Sequence, residues 1–335
     1  MLSEHQKALI KAACPDAEIV CPGQRPRSPV VWDHDVLDPL VKDADVLIGH
    51  RARAGLLEFA PRLRWIQFMG AGIDHLKLTD LLAQDRIILT NASDVSATWI
   101  AEYVLASMLL FTHRFHVTMA AQRRREWLGF GQFMMGVDGL RGKTVGILGY
   151  GSIGRETARL CQAHNMEVLA LKRNPSHRAD TSWIRPGIGD PQGVIPSRWY
   201  GPESRAELLA QSDYVVVSLP LTPDTHHFLG RREFEAVKRG AYLVNVGRGP
   251  IIDQEAMIEA LKDGRLCGAG LDVTDPEPLN PESELWDMEN VILTPHCSGA
   301  RKTYYDVGCE LIAENLRRLL EGRELINQID RTHCY

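Results

Sequence analysis

Much is missing from this 335-residue chain, and each absence narrows its role. There is no excess of positive charge. With 38 Lys and Arg against 43 Asp and Glu, the net charge of −5 gives neither nucleic acid nor an anionic membrane an attractive field. No apolar run approaches the roughly 20 residues needed to cross a bilayer. The segment from Met1 to Cys14 mixes Glu4, Lys7 and Lys11 among apolar residues, so it reads as a short amphipathic helix and not as a secretory signal. Cysteine is sparse and scattered. Cys14, Cys21, Cys161, Cys267, Cys297, Cys309 and Cys334 form no C-x-x-C pair, which argues against a metal site or a disulfide framework. The terminal Thr332-His333-Cys334-Tyr335 carries no retention, peroxisomal or lipidation signal. A cytoplasmic location with no nucleic-acid or membrane partner is the expectation.

What is present is alternation. The length allows two domains, and 44% hydrophobic residues can supply a core for each. Short apolar runs alternate with helical stretches throughout, which predicts an α/β fold with parallel sheets. One series holds Ala17–Cys21, Val46–Gly49, Trp65–Met69 and Ile87–Thr90. A second holds Thr144–Gly149, Val168–Leu171, Tyr214–Leu219, Tyr242–Val246, Ala269–Val273 and Val291–Thr294, the six strands of a Rossmann domain. Between them, Trp99 to about Phe115 is apolar on most faces and reads as a buried helix. Another helix is expected from about Lys302 to Leu320. Residues 174–202 hold Pro175, Pro186, Pro191, Pro196 and Pro202 with four glycines, so neither a regular helix nor a central strand is expected there. That length suggests an insertion, either beside the adenosine end of a cofactor or without function.

Gly149-Tyr150-Gly151-Ser152-Ile153-Gly154 follows an apolar strand and opens a helix, the context that turns a weak G-x-G-x-x-G match into a dinucleotide site. Gly149 permits the turn, Gly151 admits the pyrophosphate, and Gly154 lets helix and strand pack closely. An NAD site would place an acid at the end of the next strand. Here that strand ends in Lys172-Arg173-Asn174, and the nearest acid, Glu167, stands at its other end. Two cations in that place suit a 2′-phosphate, so NADP(H) is the preferred cofactor, with NAD(H) left open.

Three later stretches carry reactive side chains just past apolar runs: Asn245-Val246-Gly247-Arg248-Gly249, Asp272 to Glu277-Pro278, and Thr294-Pro295-His296. Arginine grips a carboxylate bidentately. Histidine donates a proton near neutral pH, and a carboxylate beside it fixes its orientation and favours its charged form. Glu277 stands 19 positions before His296. Cys297, next to that histidine, is a candidate nucleophile but reads better as a packing residue at a strand end.

In order and spacing these motifs resemble the D-isomer-specific 2-hydroxyacid dehydrogenases, over most of the chain from about Trp65 to Gly299. The resemblance implies two Rossmann-like or flavodoxin-like domains with the active site in the cleft between them. The substrate domain would be discontinuous, residues 1–113 plus 300–335. The dinucleotide domain would be 114–299, with a dimerisation arm at about 114–138 that includes Trp127, Phe130, Phe133, Met134 and Met135, making a homodimer. It implies Arg248, Glu277 and His296 as catalytic residues and a small 2-keto or 2-hydroxy acid as substrate. Ala71 and Gly72, in Gly70-Ala71-Gly72-Ile73-Asp74, would receive the substrate carboxylate together with Arg248 and His296. Leu219 and Pro220, in Ser218-Leu219-Pro220-Leu221-Thr222, would line the adenosine and ribose. Val246, Gly247 and Asp272 would lie at the nicotinamide. Arg173-Asn174-Pro175 is similar to the Arg-x-Pro of NADP-using members. His50, Arg51, Met69, Trp286 and Tyr304 are compatible with either pocket lining or packing. Formate dehydrogenases lack the glutamate, and phosphoglycerate dehydrogenases often add a domain for which this chain has no room. A dinucleotide-sensing corepressor of the same fold is the non-enzymatic alternative.

Overall fold

A computed structural model describes residues 2–22, 32–74, 76, 78–132, 139–180 and 182–331. The chain divides into two compact units, residues 1–95 with 301–335 and residues 96–300. The expected boundaries at 113/114 and 299/300 therefore move to 95/96 and 300/301. The physical reason lies in the helix Ala97–Thr112. Its buried Val104, Met108 and Phe111 pack in one cluster with Val145, Ile147, Val216 and Val244 of the second unit. On the strand Leu266–Leu271, Gly268 and Gly270 leave that face bare, and Phe111 and Ser107 of the helix occupy the space a Cβ would need.

The first unit is built on three parallel strands, β1 (Val46–Gly49), β2 (Trp65–Phe68) and β3 (Ile88–Thr90), in the order β1-β2-β3. All four residues of β2 are buried, as a strand covered on both faces requires. The polar one, Gln67, accepts from Thr90 Oγ1 at 2.8 Å, and that oxygen in turn accepts from Trp65 Nε1 at 2.8 Å. The helix Glu4–Ala13 begins with a capping box between Ser3 and Gln6 and packs beside the helix Tyr304–Leu320, where Gln6 Nε2 donates to Asp306 at 2.7 Å. The strand expected at Ala17–Cys21 does not form. This stretch forms no regular element and pairs with no described strand; Ile19 packs on the core while Val20 is exposed, so the apolar run serves as an anchor and not as a ladder.

The second unit carries seven parallel strands: β4 (Thr144–Leu148), β5 (Glu167–Leu171), β6 (Arg198–Tyr200), β7 (Tyr214–Val217), β8 (Ala241–Asn245), β9 (Leu266–Leu271) and β10 (Val291–Leu293). Their order is β10-β9-β8-β7-β4-β5-β6. Alternation along each strand feeds two cores. Val145, Ile147, Val168 and Ala170 meet the helix Ala97–Thr112 and the helix Ser152–Ala163 on one face. Leu148, Leu169, Leu171 and Val217 meet Leu208, Phe234, Met257 and Leu261 on the other. The seventh strand, β6, arises at the end of the Pro- and Gly-rich stretch as an edge strand on β5. Among the described residues no helix is long and apolar enough to cross a membrane.

After the helix Phe115–Arg124, the chain presents Trp127 at 99% and Phe130 at 80% exposure, with Phe115 and Met119 also exposed. Phe133, Met134 and Met135 of the expected arm lie outside the described residues.

Candidate active site

Because every strand of the second sheet runs the same way, the loops that follow them open at one edge. Along that edge the order is His296 after β10, Asp272 and Glu277 after β9, Arg248 after β8, Leu219 after β7, Gly149–Gly154 after β4 and Lys172–Asn174 after β5. The chain turns from one side of the sheet to the other between β4 and β7, the switch point at which open α/β sheets bind ligands.

At the switch point Gly149 has φ +102°, which only glycine adopts without strain, and a Cβ there would press on Ser218 and Leu219 at 2.8–2.9 Å. The Ser218 hydroxyl donates to the Gly149 carbonyl at 2.8 Å, tying the two loops together. A Cβ on Gly154 would strike the Gly149 carbonyl, so turn and helix pack backbone to backbone. A Cβ on Gly151 would meet nothing within 4 Å, leaving open space directly before the helix that begins at Ser152. No side chain caps this helix N-terminus. Its first amides, at Ser152, Ile153 and Gly154, are therefore suited to an anion, and the turn fits the pyrophosphate of a dinucleotide.

The basic pair after β5 is divided by the structure. Lys172 Nζ donates to the His177 carbonyl at 2.8 Å, which engages it in holding the following loop. Burial and, after it, the charge of Arg155 lower its pKa, while Asp180 opposes them. Arg173 and Asn174 are exposed at the strand end, and Asn174 Oδ1 accepts the Ser176 amide at 3.0 Å in a local turn.

After β8, Asn245 shapes the arginine loop. Its Oδ1 accepts the Gly247 amide at 3.0 Å and its Nδ2 donates to the Arg248 carbonyl at 3.1 Å, from a side chain 1% exposed. Val246 and Gly247 are buried, and the half-buried Arg248 donates from Nη1 to the Gly247 carbonyl at 2.9 Å.

His296 Nδ1 lies 2.6 Å from Glu277 Oε1. An ionised carboxylate can only accept, so the proton of this bond belongs to Nδ1, and Nε2 is the nitrogen left for chemistry. Both side chains are about half exposed, at 46% and 40%. Pairs of that exposure add at most about 1 kcal/mol of stability; the contact orients the ring more than it holds the fold. His296 itself has φ +50°, a left-handed conformation costing on the order of 1 kcal/mol in a side-chain-bearing residue. Its amide donates to the carbonyls of Asp272 at 2.8 Å and Thr294 at 3.0 Å, which stabilise that conformation.

Asp272, expected at the nicotinamide, is 2% exposed and commits its carboxylate elsewhere. Oδ1 accepts from Thr294 Oγ1 at 2.6 Å and from the Cys297 amide at 2.9 Å, and Oδ2 accepts the Ser298 amide at 2.9 Å. Tyr103 Oη closes the network at 2.7 Å from Thr294 Oγ1, and burial pushes its phenol up to about 12. Asp272 is thus a brace for the histidine loop. Cys297 contributes its amide to that brace. Asn245, Tyr103 and Thr294 escaped the sequence reading as site residues. The Asn-x-Gly turn at a strand end was a usable signal for Asn245; nothing local marks the other two.

In the first unit, Ala71 and Gly72 lie on the loop after β2, at the carboxyl end of its parallel sheet. The Tyr304 hydroxyl donates to the Met69 carbonyl, and His50 Nε2 is 3.2 Å from the Tyr305 hydroxyl, both within that unit. Trp286 donates from Nε1 to the Asn280 carbonyl at 3.0 Å in the second unit.

Comparison with known proteins agrees with the fold. Residues 105–298 match the model of the D-isomer specific 2-hydroxyacid dehydrogenase NAD-binding domain. A glyoxylate reductase of Thermococcus gammatolerans is 33% identical over 86% of this chain and 83% of its own length. Among solved structures, a D-isomer specific 2-hydroxyacid dehydrogenase from Xanthobacter autotrophicus Py2 in complex with NADPH and MES superposes with a TM-score of 0.74 at 27% identity, covering 100% of this chain and 96% of that one. An NADPH-dependent glyoxylate/hydroxypyruvate reductase from Sinorhizobium meliloti, in complex with NADP and sulfate, gives 0.72 at 25% identity over 98% and 96%.

If Asp272 braces the histidine loop, Asp272→Asn will accelerate amide hydrogen exchange at Cys297 and Ser298 by about tenfold or more. Mass spectrometry of the peptide spanning residues 291–300 reads this, and unchanged exchange would show that the carboxylate does not hold the loop.

Proposed function

Because the chain belongs to the D-isomer specific 2-hydroxyacid dehydrogenase family, we propose that it is an NADP(H)-preferring reductase of small 2-keto acids, with His296 as acid and base. The family makes it an NAD(P)-dependent oxidoreductase acting on 2-hydroxy acids. The observation that carries the finer reading is the 2.6 Å contact between Glu277 and His296, at the same sheet edge as Arg248.

When bound, the reduced nicotinamide supplies the hydride; the chain supplies everything else. Arg248 pairs with the substrate carboxylate and polarises the keto group, work suited to a planar guanidinium. His296 gives its Nε2 proton to the carbonyl oxygen as negative charge grows there. Glu277, accepting from Nδ1, holds the ring in the donating orientation. In the oxidising direction the neutral Nε2 takes the proton back. Ala71 and Gly72 are read as carboxylate-binding amides of the first unit. Gly149 to Gly154 receive the pyrophosphate. Leu219, Pro220, Val246 and Gly247 line the cofactor, with Asp272 acting through the loop it braces. The names of relatives support glyoxylate- or hydroxypyruvate-sized substrates.

Arg248→Ala and His296→Ala should each lower kcat/KM for glyoxylate or hydroxypyruvate by about 10²–10⁴-fold while NADPH affinity stays within about twofold. Near-normal turnover in either variant refutes the assignment.

The cofactor preference rests on Arg173, exposed at the end of β5 where an NAD site would hold an acid. Lys172 adds its charge from the loop contact it keeps. Arg173→Asp should reduce the ratio of kcat/KM for NADPH over NADH by at least about tenfold, and an unchanged ratio would remove the preference from this residue.

We also propose a homodimer formed through the segment 115–132. The exposed Trp127 and Phe130 support it, since an apolar patch of this kind on a lone subunit is a liability. Sedimentation should give twice the chain mass for the wild type and a shift toward the monomer for Trp127→Glu; a monomeric wild type is the contrary result.

A further inference from the structure

The Pro- and Gly-rich stretch after β5 has no part in the chemistry above, yet buried charged groups fasten it to the phosphate-binding turn. Tyr150 carries the largest side chain of Gly149–Gly154 and is 1% exposed. Its hydroxyl donates to Asp190 Oδ2 at 2.8 Å. Asp190, itself buried, also accepts the amides of Val194 and Ile195 at 3.0 Å each, so one carboxylate joins the turn to a fold of the inserted chain. One residue past Gly154, the buried Arg155 donates from Nη1 to the Asp190 carbonyl at 2.5 Å and from Nη2 to the Arg178 carbonyl at 2.7 Å, with Nε 2.9 Å from Asp180. Next to it the buried Glu156 accepts the Gly189 amide at 2.6 Å and a bidentate pair from Arg159 at 2.8 and 2.6 Å.

Burying three charged side chains at one seam carries a heavy desolvation cost before their partners are counted, and an apolar seam would stabilise a plain surface loop at least as well. What such groups add is a single defined geometry. The turn they grip needs one. Gly149 sits at positive φ and Gly151 has no side chain to limit it, so two permissive residues flank the one that can be held. Tyr150 is that residue. Its ring is wedged edge-on against Trp199, with centroids 4.9 Å apart, and lies 5.0 Å from the guanidinium carbon of Arg155. Burial, and then the bond to Asp190, push its phenol far above the ordinary range, so it remains a donor at any working pH.

We propose that the 174–197 stretch is a strap that pre-organises the phosphate-binding turn, with Asp190 as a positioning residue acting through Tyr150. The inference rests on the dinucleotide reading of that turn. By fixing the amides of residues 151–154 before the cofactor arrives, the strap removes an ordering cost from binding and leaves the chemical step untouched.

Asp190→Ala removes the acceptor of the Tyr150 hydroxyl together with that of the Val194 and Ile195 amides. The dissociation constant for NADPH, from titration of its fluorescence, should rise about five- to tenfold. At saturating cofactor, kcat and the keto-acid KM should stay within about twofold. Tyr150→Phe should raise the same constant by a similar factor, and the double variant should be no worse than Asp190→Ala alone, because that substitution already removes the bond to Tyr150. A lowered unfolding temperature with an unchanged dissociation constant in the folded protein would mean the seam only stabilises the fold, and overturns the proposal. Additive effects of the two substitutions overturn it as well. A wild-type chain that binds neither NADPH nor NADH would instead strike down the dinucleotide reading, and the strap with it.

Discussion

Parallel pairing throughout the second sheet is the constraint on which the site depends. An antiparallel neighbour would send its following loop to the opposite edge, and the residues would never meet. With every strand aligned, six loops begin on one line, and their order is set by hydrogen-bonded neighbours alone. Adjacent strands are about 4.8 Å apart, so the five steps from β10 to β5 span roughly 24 Å. The Glu277–His296 pair stands at one end of that line, Lys172 and Arg173 at the other, and the glycine-rich turn between them.

The polar groups along this edge divide into two kinds. Glu277 and His296 are half exposed and hold little of the fold. Asp272 and Asn245 are almost wholly buried, and their side chains serve the backbone of the loops carrying His296 and Arg248. The reactive residues can thus keep a water-facing, substrate-accessible position without losing definition. The left-handed backbone of His296 depends on this arrangement, since its amide is held by the carbonyls of Asp272 and Thr294.

How much of this could be read from the sequence varied with the range of the interaction. Nine of the ten strands follow from local apolar runs, and Gly149–Gly154 from a strand–turn–helix context, because period and turn chemistry are properties of neighbouring residues. The run Ala17–Cys21 has the same local character as a strand; it lacks only a described partner, which no local pattern reveals. Strand β6 was hidden because Arg198–Tyr200 is short and follows a run of prolines and glycines. The unit boundary was misplaced because the helix Ala97–Thr112 is apolar enough to suit either sheet, and the bare glycines of β9 decide between them. The bonds of Asp190 to Tyr150 and of Tyr103 to Thr294 join residues 40 and 191 positions apart. The contact of Lys172 with the His177 carbonyl is likewise one that no local pattern reveals.

The length of the sheet edge has one more consequence. At physiological ionic strength the Debye length is about 8 Å, so the β5 and β10 ends of the line lie roughly three screening lengths apart. Charge at the adenosine end is therefore hardly felt by the imidazole. On the proposed function, a lineage could change its nicotinamide cofactor by altering the β5 terminus and leave Glu277 and His296 as they are, so the two traits are free to drift apart under separate selection.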